Sequence, residues 1–307
     1  MIATPLITPT YFDLPGLRLH AAVAGPADGP LVILLHGFPE FWFSWRHQIT
    51  ALAGAGFRVV APDQRGYNLT AKTPPYDTGT LSQDIVHLIQ ACGRERACVA
   101  GHDWGAAVAW ALAGRHPERV ERLAILNVPH PAVMVRHLFG GNWRQLARSW
   151  YIYFFQIPGL PELVLTADRC RGLRNSLQRT SRPGTFTDAD LEHYVAAWSQ
   201  PGAVTAMLGW YRAAARAAFA RRPLAPARRL PMPTVILWGE RDIALGVELA
   251  EDSRPYLEQG RLVRYPEATH WVHQDLPHEV NAELLAHFGA PAAARPVSAA
   301  DPARPPA

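Results

Sequence analysis

The chain has 307 residues, 49% hydrophobic and 18% charged, with a net charge of +4. That size buries a large core in one or two domains. The basic excess is scattered arginine, with Lys72 the one lysine and short pairs at Arg221-Arg222 and Arg228-Arg229, and no basic stripe interleaved with aromatics makes nucleic acid an expected partner.

The three cysteines, Cys92, Cys98 and Cys170, have no C-x-x-C spacing. Met1 to Thr10 lacks the charged and apolar regions of a secretory signal, so a reducing, cytoplasmic setting is expected. No apolar run approaches the ~18–20 residues that span a bilayer, and no membrane partner is expected.

Tyr11 to Ala24 alternates like an extended hairpin broken at Pro15-Gly16. Leu31 to Leu35 is a continuous apolar run, the mark of a strand buried on both faces, and ends in His36-Gly37-Phe38-Pro39-Glu40. A helix is expected from about Ser44 to Ala53 and a strand over Phe57 to Ala61. A Gly-, Pro- and Thr-rich loop then leads to a helix over Leu81 to Ala91, with Thr80 or Ser82 as its cap.

Ala97 to Ala100 is the next strand. It runs through Gly101-His102-Asp103-Trp104-Gly105 into an alanine-rich helix that reaches Arg115, and Val120 to Leu126 is another strand. Strands alternating with helices imply a mainly parallel sheet covered on both faces. From Asn127 to about Arg229 no buried strand appears, and the segment reads as aromatic- and arginine-rich helices. Thr234 to Trp238 and Arg261 to Tyr265 restore the strands, and a last helix runs to about Phe288. The expected organisation is an α/β core in two parts, 1–129 and 230–289, a helical lid over 130–229, and a disordered tail over 290–307.

A strand, a G-x-x-x-G turn and a helix form a nucleophile elbow, and here its apex is Asp103. Asp242 and His270 follow later strands, in the order nucleophile, acid, histidine. An ionised carboxylate needs no base to attack a saturated carbon, and the resulting ester then needs water. His270 is the candidate base for that water and Asp242 its orienting partner. Asp242 also reads as a helix cap, and His273, His102 and His278 compete with His270. The backbone N–H groups of Phe38 and Trp104 are the expected oxyanion donors. Phenols in the lid, Tyr151 and Tyr211, can assist a leaving alkoxide. His36 and His102 read as structural. Phe38, Pro39, Trp104, Tyr153 and Phe154 are candidate pocket walls.

These motifs, with Ser44-Trp45-Arg46-His47-Gln48, Phe155-Gln156-Ile157-Pro158-Gly159, Trp210-Tyr211-Arg212 and Trp238-Gly239-Glu240-Arg241-Asp242, resemble the soluble epoxide hydrolases of the α/β-hydrolase fold. The resemblance runs from about Tyr11 to Phe288. It implies an eight-stranded, mainly parallel sheet with helices on both faces and an inserted helical cap. It matches Asp103, Asp242 and His270 to the nucleophile, acid and base, and Tyr151 and Tyr211 to the ring-opening tyrosines, with Tyr153 an alternative for the first. The sequence departs at Asn68-Leu69-Thr70, where the family often has Gly-x-Ser.

The implied reaction turns a small apolar epoxide and water into a diol, by a monomer or homodimer. No metal cluster, phosphate loop or dinucleotide fingerprint is visible, so no cofactor is expected. Haloalkane dehalogenases share the elbow but often place Asn where Phe38 stands, and haloacetate dehalogenases carry Arg where Trp104 stands. A non-catalytic binding protein is the third reading.

Overall fold

A computed structural model describes residues 5–220 and 228–289; the Arg221-Arg222 pair and the expected tail over 290–307 lie outside them. The strands are β1 (Thr8–Leu14), β2 (Leu17–Ala24), β3 (Leu31–Leu35), β4 (Arg58–Pro62), β5 (Ala97–His102), β6 (Val120–Leu126), β7 (Thr234–Gly239) and β8 (Gly260–Tyr265). They form one eight-stranded sheet in the order β1-β2-β4-β3-β5-β6-β7-β8. β1, β2 and β4 pair antiparallel, and every pair from β4 to β8 is parallel. This is the α/β-hydrolase architecture.

Side chains alternate across the pleat, so each apolar run feeds two cores. Val32, Leu34, Val235 and Leu237 pack against α1 (Arg46–Gly54) and, near the C-terminus, α12 (Pro277–Phe288). Ile33, Leu35, Val99, Ile125 and Ile236 pack on the other side against α2 (Thr78–Ala91) and α3 (Trp104–Arg115). Every residue of β3, β5 and β7 is buried, as the continuous apolar runs require.

Between β6 and β7 the chain forms α4 (Pro131–Phe139), α5 (Trp143–Arg148), α6 (Trp150–Phe154), α7 (Leu160–Thr180), α8 (Asp188–Trp198) and α9 (Ala203–Phe219). Two short helices, α10 (Glu248–Ser253) and α11 (Val272–Asp275), complete the core. Tyr194, Trp198 and Trp210 of the inserted helices belong to the same apolar cluster as β3 and β5.

Two expectations shift. α2 starts at Thr78, and its cap is Asp77, whose carboxylate accepts from Gly79 N at 3.0 Å and Thr80 N at 3.1 Å. Thr80 donates its own hydroxyl to that carboxylate, and Ser82 donates to Gly79 O, so neither caps the helix. The expected helix from Ser44 divides into a 3₁₀ turn, Trp42–Trp45, followed by α1.

Candidate active site

β5 delivers Asp103 to the carboxyl end of the sheet. Its backbone sits at φ 49°, ψ −124°, a strained turn between strand and helix. Glycines make the turn possible. A Cβ on Gly105 would lie 2.1 Å from the Leu35 carbonyl oxygen, and one on Gly37 would lie 2.3 Å from Asp103 Cβ.

The Asp103 carboxylate is half-buried and bound on both sides. Phe38 N–H donates to its Oδ1 at 2.7 Å, and His270 Nε2 lies 3.4 Å from its Oδ2. Burial alone would raise its pKa, but the hydrogen bond and charge of His270 outweigh it and hold the group below the usual carboxylate range. Of the two expected oxyanion donors, Phe38 reaches Asp103; Trp104 N–H makes no hydrogen bond to that carboxylate among the described residues.

His270 Nδ1 meets Asp242 Oδ2 at 2.7 Å. Burial disfavours its cation, but the carboxylates of Asp242 and Asp103 prevail and hold the imidazole well above its ordinary value. Asp242 is no helix cap: α10 begins only at Glu248, with Val247 before it. Its Oδ1 accepts from Ala244 N at 2.7 Å and Leu245 N at 2.9 Å within its own loop, while its Oδ2 meets His270 and also accepts from Asn127 Nδ2 at 2.9 Å.

Asn127 was not foreseen. It follows β6 directly, as Asp103 follows β5, and that strand-end position is the signal that could have found it. Its side chain also binds Gly239 N at 2.9 Å, tying the ends of β6 and β7 together.

The inserted helices supply the opposite wall. Tyr211 on α9 packs edge-on against Phe38, Trp104 and Phe155, at centroid distances of 5.2, 5.0 and 4.9 Å. Tyr151 on α6 lies 6.0 Å from Tyr211. Burial raises both phenols, Tyr211 well above its usual value, and the negative charge of Asp103 raises both further. The adjacent Trp104 side chain opposes this at Tyr211.

The expected pocket walls divide. Phe38 and Trp104 touch Tyr211. Pro39 is buried, and its carbonyl accepts the Trp198 indole N–H at 2.5 Å. Phe154 packs between Trp150 and Phe155. Tyr153 is corrected: it is 56% exposed and makes none of these ring contacts, because its neighbour Tyr151 takes the inward phase of the short α6. Trp104 also lines a cleft of about 720 Å³, together with Tyr76, Arg115, Trp210, Ala213 and Arg216.

The two structural histidines hold the floor. His36 Nε2 accepts Gln64 N–H at 3.0 Å, which leaves Nδ1 to donate to Gly37 O at 3.0 Å. Burial lowers its pKa and keeps that neutral tautomer. His102 bridges Glu40 Oε2 and the His270 carbonyl, each at 2.8 Å. His273 packs 3.5 Å from Glu40 Oε1, and burial pushes it down to about 4. Glu40, His102 and His273 bring three potential metal-ligand atoms within 4.8 Å of one another, a cluster not visible in the sequence spacing. Both His102 ring nitrogens are already engaged, so the set reads as support for the His270 loop.

Comparison with known proteins identifies the family. The profile described as the alpha/beta hydrolase fold matches residues 30–276. The chain is 43% identical over 283 residues to the AB hydrolase superfamily protein YfhM of Bacillus subtilis, covering 91% of this chain and 96% of that one. It is 38% identical to epoxide hydrolase 1 of Caenorhabditis elegans, over 89% of this chain and 68% of the relative. The crystal structure of Bacillus megaterium epoxide hydrolase with an inhibitor superposes with a TM-score of 0.82 at 32% identity, over 91% of this chain and 99% of that chain.

Proposed function

The chain belongs to the epoxide hydrolase branch of the alpha/beta hydrolase fold family, and on that footing we propose that it adds water to a small apolar epoxide to give a vicinal diol. The enzyme is a hydrolase. The observation that carries the proposal is a half-buried, ionised elbow carboxylate beneath two phenols, Tyr211 buried and Tyr151 half-buried.

Asp103 Oδ2 attacks one epoxide carbon. The C–O bond to that carbon breaks, an alkyl ester forms, and the ring oxygen leaves as an alkoxide. Tyr151 and Tyr211 face it from the cap, read here as 130–229, and one of them donates its proton. With an ordinary value of 10.0 raised further by burial, both phenols are protonated at neutral pH, which is the state a general acid needs.

Esterification removes the negative charge of Asp103. One of the two carboxylates that hold His270 protonated is then gone, so the imidazole surrenders its proton more readily. That proton can restore the phenol through solvent. Neutral His270 next takes a proton from water, whose oxygen attacks Asp103 Cγ. Oδ1, already held by Phe38 N–H, carries the tetrahedral charge, and Asp242 steadies the imidazolium. Collapse frees the diol and regenerates the carboxylate.

Three free cysteines fit a reducing compartment, and we place the enzyme in the cytoplasm on that ground. The test is a turnover screen of purified protein over epoxides and haloalkanes, beside the Tyr151→Phe/Tyr211→Phe double variant. Diol formation that the double variant abolishes is expected. Halide release without diol, or full diol activity in the double variant, rejects the reading.

A further inference from the structure

α5 is inside out. Its buried residue is Gln145, and the next buried positions are Ser149 and Phe155, on either side of α6, whose Tyr151, Ile152 and Phe154 are half-buried against the core. Gln145 Nε2 donates to Ala244 O at 2.8 Å and to Ser149 Oγ at 3.1 Å, so polar side chains dock α5 on the core. The outward positions Trp143, Leu146, Trp150 and Tyr153 follow at steps of three and four and are 70, 41, 65 and 56% exposed. A helix that hides glutamine and shows tryptophan has reversed the usual partition.

The reversal extends beyond α5. Of the fifteen large apolar side chains exposed among the described residues, ten lie between Val135 and Val164, including Phe139 at 70% and Leu163 at 68%. Exposed apolar residues scattered singly need no explanation, but a concentration of this kind marks a contact surface.

Charge selects the occupant. From Pro131 to Pro161 the sequence holds Arg136, Arg144 and Arg148 and no aspartate or glutamate. Arg136 is paired with Asp252 at 2.7 Å. Arg144 and Arg148 are exposed and make no ion pair among the described residues; the Arg144 guanidinium lies 5.5 Å from the Trp143 ring centroid. The carboxylates that follow on α7, Glu162 and Asp168, are paired with Arg212 and Arg171, and Asp252 with Arg136, so a two-fold contact between copies would set Arg144 and Arg148 against the same basic, apolar face with no unpaired carboxylate to meet them. An interfacial lipid surface supplies both missing partners, anionic headgroups for the guanidinium groups and acyl chains for the aromatic rings.

We propose that the α4–α7 face is a peripheral docking surface for anionic phospholipid membranes. The absence of a spanning-length run bears on crossing a bilayer and not on lying against one; among the described residues no helix is long and apolar enough to cross. The face stands apart from the chemistry at Asp103, so its test is independent of the epoxide reading. It would, however, set α6, which carries Tyr151 inward, beside the phase where apolar molecules concentrate.

The experiment is co-sedimentation of the purified full-length protein with large unilamellar vesicles of phosphatidylcholine, with and without phosphatidylglycerol. Binding should rise with phosphatidylglycerol. It should weaken with salt as the screening length contracts from ~10 Å at 0.1 M to ~3 Å at 1 M. The Arg144→Gln/Arg148→Gln double variant should bind about tenfold more weakly or worse, and Trp143→Ser should also lose binding. All three positions are exposed, and circular dichroism and melting of the variants check their fold. No sedimentation, equal binding to neutral vesicles, or unchanged binding in both variants would overturn the proposal. A dimer in solution that Trp143→Ser dissociates, without vesicle binding, would assign the face to a second copy instead.

Discussion

At the scale of single residues, the charges of the site fix a pH dependence. Asp103 is held below its ordinary value of 3.8, and Tyr151 and Tyr211 above theirs of 10.0. Carboxylate and phenols therefore keep their working protonation states together across neutral pH. Single-turnover alkylation should be flat from about pH 5 to 9, and a bell within that range would contradict the assignment. The ester-hydrolysis rate should instead rise with pH to a plateau as His270 loses its proton. His270→Gln should stop after the first step and leave an adduct on Asp103 visible by mass spectrometry; an enzyme that releases diol without the imidazole would remove His270 from the proposed role.

The same pair bears on stability. His270 is raised well above 6.5, so its contribution is complete below 6.5 and fades as pH climbs through the folded value. Asp103 is lowered, so its share is present above 3.8 and fades as pH falls through the folded value. In Asp103→Asn the imidazole loses one carboxylate and its pKa drops. Thermal melts should then show the parent losing stability relative to Asp103→Asn as pH rises from 6.5. Parallel melting curves against pH would refute the coupling.

Elements carry the next level. Strand runs such as Leu31 to Leu35 were legible because burial on both faces leaves an unbroken apolar record. The elbow was legible for a similar reason, since its glycines, apex and helix are contiguous. Glu40, Asn127 and His273 were not, because their partners lie far away in sequence: Glu40 and His102 are 62 residues apart, and Asn127 and Asp242 are 115 apart. The start of α2 was missed because Thr80 and Ser82 compete as caps on paper. Asp77 prevails by accepting two backbone N–H groups. Asp77→Ala should cost about 1 kcal/mol, read as a lower melting temperature with unchanged activity. Gly37→Ala should be far more damaging, because its methyl would meet Asp103 Cβ at 2.3 Å. Turnover at the parental level in that variant would show that the loop yields more easily than this packing implies.

Across the whole molecule, inserted helices and sheet share one continuous core, with Tyr194 and Trp210 in the same cluster as Ile33 and Val99. Polar ties reinforce it. Trp210 Nε1 donates to Arg65 O at 3.0 Å, Arg46 pairs with Asp190 at 3.2 Å, and Thr185 donates to Asp275 at 2.7 Å. Calorimetry should therefore give a single transition. Two separated transitions would mean that the inserted helices melt on their own. The interruption of the α/β rhythm after Leu126 was readable in the sequence. The seating of the inserted helices on the core was not, because it depends on contacts such as Trp198 to Pro39 O, 159 residues apart.

Asp242 has both oxygens committed, one to the amides of its own loop and one shared by Asn127 and His270. A group clamped at both ends cannot swivel after a wandering ring. In the proposed reaction, variation in the substrate accepted falls to the ceiling, where Tyr151, Phe155 and Tyr211 meet. Tailoring selectivity is a matter of re-cutting that ceiling above a foundation that does not move.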